Sequence, residues 1–141
     1  MVSFVTKSAA ETEELAAQIA KKLMPGTVIA FFGGMGMGKT AFTRGLARGL
    51  GLDSHVSSPT FAIVNDYGGN PPFVHFDMYR VTSWEDLYTT GFYDYMDMGA
   101  ILAVEWSENI ENAIPENAVR ITIEQGSFDD ERIITIDGIE V

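Results

Sequence analysis

The residues with the clearest chemical meaning form a loop that fits G-x-x-x-x-G-K-[ST], the phosphate-binding P-loop. The loop consists of Gly33, Gly34, Met35, Gly36, Met37, Gly38, Lys39 and Thr40. Because glycine lacks a Cβ atom, the backbone can curl and its N–H groups can converge on phosphate oxygens. The pattern predicts a nucleotide-phosphate site, with the backbone of Ala41 included among the contacts.

Two side chains of this loop have expected roles of their own. Lys39 is predicted to reach the β- and γ-phosphates, and the Thr40 hydroxyl to ligate Mg²⁺. No Asn/Thr-Lys-x-Asp guanine signature is present, so the expected cofactors are ATP or ADP with Mg²⁺. The alternative, a glycine-rich turn with a chance lysine, is disfavoured because a strand-like run precedes the loop and a helix-like run follows it.

Hydrolysis or phosphoryl transfer needs an acidic group for Mg²⁺ and a group that orients the nucleophile. Asp77 lies in the sequence H-F-D-M-Y-R, where strand alternation puts it on one face with His75 and Tyr79. We expect that face to be polar and the other to be core. An aspartate at the end of a strand beside the P-loop strand suits Mg²⁺ or its water shell. A structural hydrogen-bond network with Arg80 is the open alternative.

Glu105 directly follows the apolar run 101–104 and resembles a Walker B ending. It is a candidate for holding the metal through water or for polarising the attacking water, since ligands of open α/β sheets bind at the carboxyl ends of strands. The alternative is a carboxylate at a helix N-terminus. Its neighbour Trp106 is expected either to stack near the nucleotide or to fill the core.

Thr60 stands in a Ser-Ser-Pro-Thr-Phe loop that follows the P-loop helix. It is a candidate switch residue that senses the γ-phosphate through Mg²⁺. Ser/Pro/Thr clusters are also common in ordinary loops, so this role stays open. His55 and His75 lack metal-ligand spacing, and structural roles are expected for both.

The elements that position these residues alternate between helix and strand. Ser8 opens a capping box and a helix to about Leu23, and residues 27–32 and 41–50 form the P-loop strand and helix. Further predicted elements are a hairpin of 61–67 and 73–79, a helix from 84 to about 90 capped by Ser83, a strand at 101–104, a short helix before Pro115, and an antiparallel pair of 118–124 and 132–137. The prediction is an α/β fold, a P-loop NTPase-like three-layer sandwich whose central, mostly parallel sheet has antiparallel additions at the edges. Residues 1–141 are expected to form a single P-loop ATPase domain.

Composition narrows the class of protein. The 141 residues include 46% hydrophobic residues and no cysteine, which excludes disulfides, thiolate metal sites and a cysteine nucleophile. No apolar run approaches about 18 residues and no secretory signal is evident, so we expect a cytoplasmic protein without a membrane span. The net charge is −11, and from Glu105 onward ten acidic residues and two arginines give 2 − 10 = −8. Such a surface repels nucleic-acid phosphates, so in a nucleic-acid pathway we expect this protein to act through a protein partner with a basic surface. The open alternative is that the acidity serves solubility alone.

Several short motifs follow one another along the chain in a specific order. They are the P-loop, Ser58-Pro59-Thr60-Phe61, the H-F-D-M-Y-R run, Glu85-Asp86-Leu87 and Val104-Glu105-Trp106-Ser107-Glu108. This set resembles the TsaE (YjeE-type) family, small P-loop ATPases of bacterial tRNA threonylcarbamoyladenosine biosynthesis. The resemblance covers about residues 8–115 and a weaker tail.

The resemblance implies an ATPase that binds the TsaD–TsaB pair and reaches tRNA only through it. By position it implies that Lys39, Thr60, Asp77 and Glu105 are the catalytic residues, with Thr40, Asp77 and Glu105 toward Mg²⁺. It places Trp106 by the nucleotide and matches Arg132 loosely to an arginine near the base.

Two positions depart from the family pattern: Gly34 replaces an acidic residue, and Ala41 replaces a second threonine. Loss of that hydroxyl is expected to affect hydrolysis more than nucleotide binding. Two other functions stay open, a small-molecule kinase and a nucleotide-dependent binding module that does not hydrolyse ATP. The kinase needs a lid and an arginine clamp, and the chain has only five arginines and no lid-sized insertion.

Overall fold

The computed structural model describes residues 1–32, 38–52 and 64–140. Within these ranges, seven strands form one mixed sheet in the order β1-β7-β6-β2-β5-β4-β3. The strands are Val2–Thr6 (β1), Val28–Phe32 (β2), Val64–Asp66 (β3), Phe73–Asp77 (β4), Ile101–Glu105 (β5), Val119–Gln125 (β6) and Arg132–Asp137 (β7). Strands β6, β2, β5 and β4 run parallel, whereas β3 and the β7–β1 pair add antiparallel strands at the two edges. The predicted sheet is therefore confirmed.

Helices cover both faces of the sheet. They are Ala9–Ala20 (α1), Lys39–Gly49 (α2), Trp84–Thr89 (α3), Phe92–Asp97 (α4) and a 3₁₀ helix, Ser107–Ala113. On the α1–α2 side, the core contains Ile19 and Leu46 packed with Phe31 of β2. On the opposite α3–α4 side, Leu87 and Phe92 pack with residues of the central strands. The result is the predicted three-layer sandwich.

Local capping explains where two helices begin and end. The Ser8 hydroxyl accepts a hydrogen bond from the Glu11 N–H at 3.1 Å, as the capping box predicts. Helix α1 ends at Ala20, earlier than expected, because the N–H of Leu23 bonds to the carbonyl of Ala20 and tightens the last turn. Ser83 caps α3 as predicted, by accepting from the Asp86 N–H at 3.1 Å. Hydrogen bonds from Thr82 hold the pKa of the Asp86 carboxyl below its usual value.

Helices α1 and α2 are in unusually close contact. A Cβ atom on Gly45 would lie 2.3 Å from the carbonyl oxygen of Glu13, and one on Gly49 would lie 2.5 Å from that of Ala17. Only a residue without a side chain allows the backbones to come this near. The close contact fixes α2 against α1, and with it the P-loop residues at the start of α2.

Two elements were not predicted: β1 and α4. Helix α4 is only six residues long and lies between Gly91 (φ 84°) and Gly99 (φ 78°), both in the left-handed region. Its Phe92 ring packs edge-on against Phe76 of β4, with the centroids 5.7 Å apart. Burial and the nearby Asp66 carboxylate raise the pKa of Tyr95 in the same helix.

In the described part of the chain, no helix has the length and apolar character needed to cross a membrane.

Candidate nucleotide and magnesium site

The start of α2 carries the end of the P-loop. Gly38 occupies the position before the helix with φ 91°, a left-handed conformation that favours glycine, and no side chain caps the helix there. Lys39 and Thr40 are its first two residues. The first N–H groups of a helix have no partner within the helix, and they lie at the positive end of its dipole. This end of α2 is therefore suited to an anion.

Lys39 is the most buried cationic side chain of this region. It is only 1% exposed, and its Nζ atom lies 5.9 Å from the ring centroid of Trp106. Burying an ammonium group is unfavourable unless it is compensated by nearby acceptors or an aromatic face. The geometry brings the lysine of the P-loop and the tryptophan that follows β5 together, although 67 positions separate their numbers in the chain (106 − 39).

Two carboxylates stand side by side at the ends of neighbouring strands. Asp77 and Glu105 are the last residues of β4 and β5, and the parallel register makes their Cα atoms direct partners. Both lie on the α1–α2 side of the sheet, because Phe73 and Ala103 of the same strands belong to that core. The structure thus brings two predicted acidic residues together on the face that carries the P-loop helix.

The contacts of these carboxylates correct two expectations. The Oδ1 atom of Asp77 accepts from the N–H of Tyr79 at 2.9 Å, and no ion pair joins Asp77 to Arg80 among the described residues. The face shared by Asp77 and His75 carries these polar side chains but is not distinct from core, since His75 is fully buried and Phe73 on the same face belongs to the α1–α2 core. Glu105 belongs to β5 rather than to a helix start, and its Oε2 atom lies at hydrogen-bond distance, 2.7 Å, from Nε2 of His75.

Trp106 has an unusual backbone conformation. Its φ is 58°, and it is the only residue other than glycine with a positive φ in the described ranges. A bulky side chain in this region is strained and persists only when the surroundings hold it there. The indole packs on Tyr79 with the centroids 4.8 Å apart, and it is half-buried against the α3–α4 core. The expected contact with the core is therefore present, and the expected contact with the nucleotide stays a prediction.

Arg132 lies beside the P-loop even though it comes from the tail of the sequence. Its Cγ and Nε atoms are each 3.7 Å from the point that a Cβ on Gly38 would occupy. Its Nη1 atom donates to the carbonyl oxygens of Asp129 at 2.6 Å and Glu131 at 2.9 Å. These bonds orient the guanidinium group next to the last glycine of the loop. Its predicted contact with the base stays a prediction.

The remaining predicted residues lie outside the described part of the chain. They are Gly33, Gly34, Met35, Gly36, Met37 and Thr60. Among the described residues, no group of three or more His, Asp and Glu side chains is arranged to hold a metal ion. A P-loop Mg²⁺ needs fewer protein ligands than this, because phosphate oxygens and water complete its octahedron.

His75 is the member of the site that sequence reasoning missed. A structural role was expected for it, yet its ring contacts the carboxylate at the end of the neighbouring strand. The signal that could have found it is its spacing of two residues from Asp77, which places both on one face of β4. The contact also requires β4 and β5 to be parallel neighbours, and this depends on the order of the strands in the sheet.

The sheet order, the helix that follows the β2 loop and the G-x-x-x-x-G-K-T sequence define an α/β protein of the P-loop class. The family model described as "Threonylcarbamoyl adenosine biosynthesis protein TsaE" matches residues 6–134. The chain belongs to the TsaE family.

Individual relatives agree with this assignment. The chain is 39% identical over 131 residues to the tRNA threonylcarbamoyladenosine biosynthesis protein TsaE of Bacillus subtilis, covering 92% of this chain and 80% of the relative. It is 33% identical over 119 residues to the protein of the same name from Treponema pallidum, covering 84% and 88% of the two chains. A crystal structure of Bacillus subtilis YdiB is similar with a TM-score of 0.75 and 34% identity, covering 96% of this chain and 83% of that chain.

Proposed function

We propose that this protein binds and hydrolyses ATP in support of the threonylcarbamoyladenosine modification of tRNA, acting through the TsaD–TsaB complex in the cytoplasm. The observation that carries the proposal is a buried P-loop lysine, Lys39, whose Nζ lies 5.9 Å from the ring centroid of Trp106. Trp106 directly follows Glu105, the strand-end partner of Asp77. The family and the names of the relatives support the pathway.

Each side chain has a task that follows from its position. Lys39, at the positive end of α2, binds the β- and γ-phosphates and offsets their negative charge. The backbone N–H groups from Gly38 to Ala41 contribute further donors at the same helix end. Trp106 covers the lysine from the side of β5 and helps to exclude water from it. Thr60 is proposed as the residue that responds to the γ-phosphate.

The donor set suits a magnesium ion. Mg²⁺ prefers hard oxygen ligands, and the hydroxyl of Thr40 and the carboxylates of Asp77 and Glu105 are all of this kind. The two carboxylates share one face at the ends of adjacent strands, so both can serve one ion directly or through its water shell. When bound, Mg²⁺ supplies charge compensation for the phosphates. Glu105 is also in place to accept a proton from an attacking water.

The protein alone is expected to be a weak ATPase. Among the described residues, no arginine forms an ion pair or a hydrogen bond with Asp77 or Glu105. An arginine finger supplied by a partner accelerates phosphoryl transfer by about 10³- to 10⁵-fold. The acidic surface of this chain favours a partner with a basic surface over direct contact with tRNA. We propose TsaD–TsaB as that partner.

The experiment is Mg²⁺-dependent ATP hydrolysis by the protein alone and with purified TsaD–TsaB. We expect slow turnover alone and a clear rise with the pair. A rate unchanged by the pair would contradict the proposed partnership while leaving a nucleotide site. Transfer of phosphate from ATP to a small alcohol without any partner would instead indicate a kinase, and binding without hydrolysis under both conditions would indicate a nucleotide-dependent binding module.

A further inference from the structure

A buried hydrogen bond joins the two central strands that end at the candidate site. His75 on β4 is fully buried, Glu105 on β5 is 6% exposed, and Nε2 of the first lies 2.7 Å from Oε2 of the second. A carboxylate that serves Mg²⁺ can only accept, so in the proposed site the proton of this bond belongs to Nε2 of the imidazole. The opposite ring atom, Nδ1, has no hydrogen-bond partner among the described residues.

This bond leaves the two oxygens of Glu105 in different situations. Oε2 is bound to the imidazole, whereas Oε1 takes no part in that bond. A carboxylate held at one oxygen cannot rotate freely about its last torsion, so the direction of the other oxygen is set. Asp77 stands on the same face and in direct register with Glu105. Oε1 of Glu105 is therefore held at the strand ends, on the side of the sheet that carries α2.

The fold alone does not require such a pair. The strands around it are otherwise apolar, and β5 reads Ile-Leu-Ala-Val before Glu105. Replacing a buried polar or ionic pair by apolar side chains of similar volume is often neutral or stabilising. A role in the site is therefore the better explanation for a buried imidazole at this position than a contribution to stability.

We propose that His75 is a positioning residue for Glu105, acting on the orientation of its carboxylate toward Mg²⁺ and water. This inference rests on the proposed function. His75 does not touch nucleotide or metal itself, and its effect passes through one hydrogen bond. Partners of this kind, which orient a group near a metal, typically change metal affinity or activity by about 10- to 100-fold.

Three variants separate positioning from packing. His75→Leu removes the donor while keeping an apolar side chain of similar size. His75→Gln places an amide N–H near the position of Nε2, whereas His75→Asn reaches only the position of Nδ1. Phe76→Leu is the control, because Phe76 is equally buried on the next position of β4 but belongs to the α3–α4 core.

The measurements are chosen so that loss of folding cannot imitate the result. One is the kcat and KM of ATP hydrolysis in the presence of TsaD–TsaB. A second is the Mg²⁺ concentration that half-saturates the effect of the metal on ATP binding, followed by the fluorescence of Trp106 in a Trp84→Phe background. A third is ADP affinity by calorimetry in EDTA, which reports the phosphate contacts of the P-loop alone.

We expect His75→Leu to lower kcat about 10-fold or more and to raise the half-saturating Mg²⁺ concentration by a similar factor, with KM and ADP affinity in EDTA within about twofold of the parent protein. His75→Gln should recover most of the loss, while His75→Asn should not. Phe76→Leu should lower the melting temperature without changing the Mg²⁺ dependence.

Two results would overturn the inference: kcat and Mg²⁺ dependence of His75→Leu equal to those of the parent, or equal losses in His75→Gln and His75→Asn. If His75→Leu does not fold, the Gln and Asn pair decides the question. The proposed function fails separately, when the parent protein hydrolyses no ATP with or without TsaD–TsaB. In that case, the Mg²⁺ dependence of ATP binding still tests His75, and a parent without any such dependence refutes both.

Discussion

Lys39 combines almost complete burial with a full positive charge at the start of a helix. Such a charge is tolerated where a counter-charge or an aromatic face compensates it, and the indole of Trp106 is one such group. A nucleotide adds the stronger compensation. The lysine is thus expected to contribute more to the affinity for ATP than any exposed cation of this chain.

We predict that Lys39→Ala weakens ATP binding about 10- to 100-fold, the effect of losing one hydrogen-bonded charge pair. Isothermal titration calorimetry measures the affinity directly. Lys21→Ala is the matched control, because Lys21 is an exposed lysine at the end of α1 and is expected to leave the affinity unchanged. An unaltered ATP affinity in Lys39→Ala would show that the P-loop assignment is wrong.

For single residues, the sequence predicts the role of a side chain when the partners of that side chain are close to it in the chain. The P-loop residues are contiguous, so their type and order are enough to predict a phosphate site, and Asp77 and Glu105 were predicted because each stands at the end of a strand. The bond between His75 and Glu105 joins residues 30 positions apart. It depends on β4 and β5 being parallel neighbours in a particular register, and no local pattern encodes that register.

Among the elements, α2 depends on α1 for its position. Gly45 and Gly49 are one helical turn apart and both face the backbone of α1. An alanine at Gly45 would improve the intrinsic helix propensity by about 1 kcal/mol. Its Cβ atom, however, would require the Glu13 backbone to move, because the distance of 2.3 Å is far below van der Waals contact.

We therefore predict that Gly45→Ala destabilises the protein by about 1–3 kcal/mol, the usual range for overpacking a close contact. Urea unfolding followed by circular dichroism measures the change. Arg48→Ala is the control on the same helix. Its ion pair with Glu14 is exposed, and such pairs contribute about 0–1 kcal/mol. A Gly45→Ala variant as stable as the parent would mean that the helices can separate without loss.

The elements that were predicted and those that were missed differ in what their boundaries depend on. The β2 strand, α2 and the Ser83 cap carry their own local signals. Helix α4 is too short for a helical period to be recognised, and its aromatic residues suit a strand equally well. Strand β1 has a partner at the opposite end of the sequence. Only the assembled sheet gives it a defined place.

The whole molecule carries a net charge of −11, and the segment from Glu105 onward holds most of it. An acidic surface of this kind attracts a basic partner over distances of about one Debye length, near 10 Å at 0.1 M salt. It acts mainly on the rate of association rather than on the lifetime of the complex.

We predict that the association rate with TsaD–TsaB falls about tenfold when ionic strength rises from about 0.05 M to about 0.5 M, with a smaller change in the dissociation rate. Surface plasmon resonance resolves the two rates. ATP binding by the isolated protein in the same buffers is the control for effects on the nucleotide site. An association rate independent of salt would assign the acidity to solubility alone.

The position of β1 at the edge of the sheet also bears on the order in which the strands come together during folding. Within the described residues, β1 pairs only with β7, and the Ser3 and Thr135 hydroxyls meet at 3.1 Å across 132 positions. Because β7 belongs to the last part of the chain, where it pairs with β6, the edge strand at the start of the chain gains its partner only when the two ends of the chain meet. Closing a loop of this length is slow and entropically unfavourable. We therefore expect the first strand of the sequence to join the sheet late in folding, and to be able to detach from its edge without breaking the pairing of the central parallel strands.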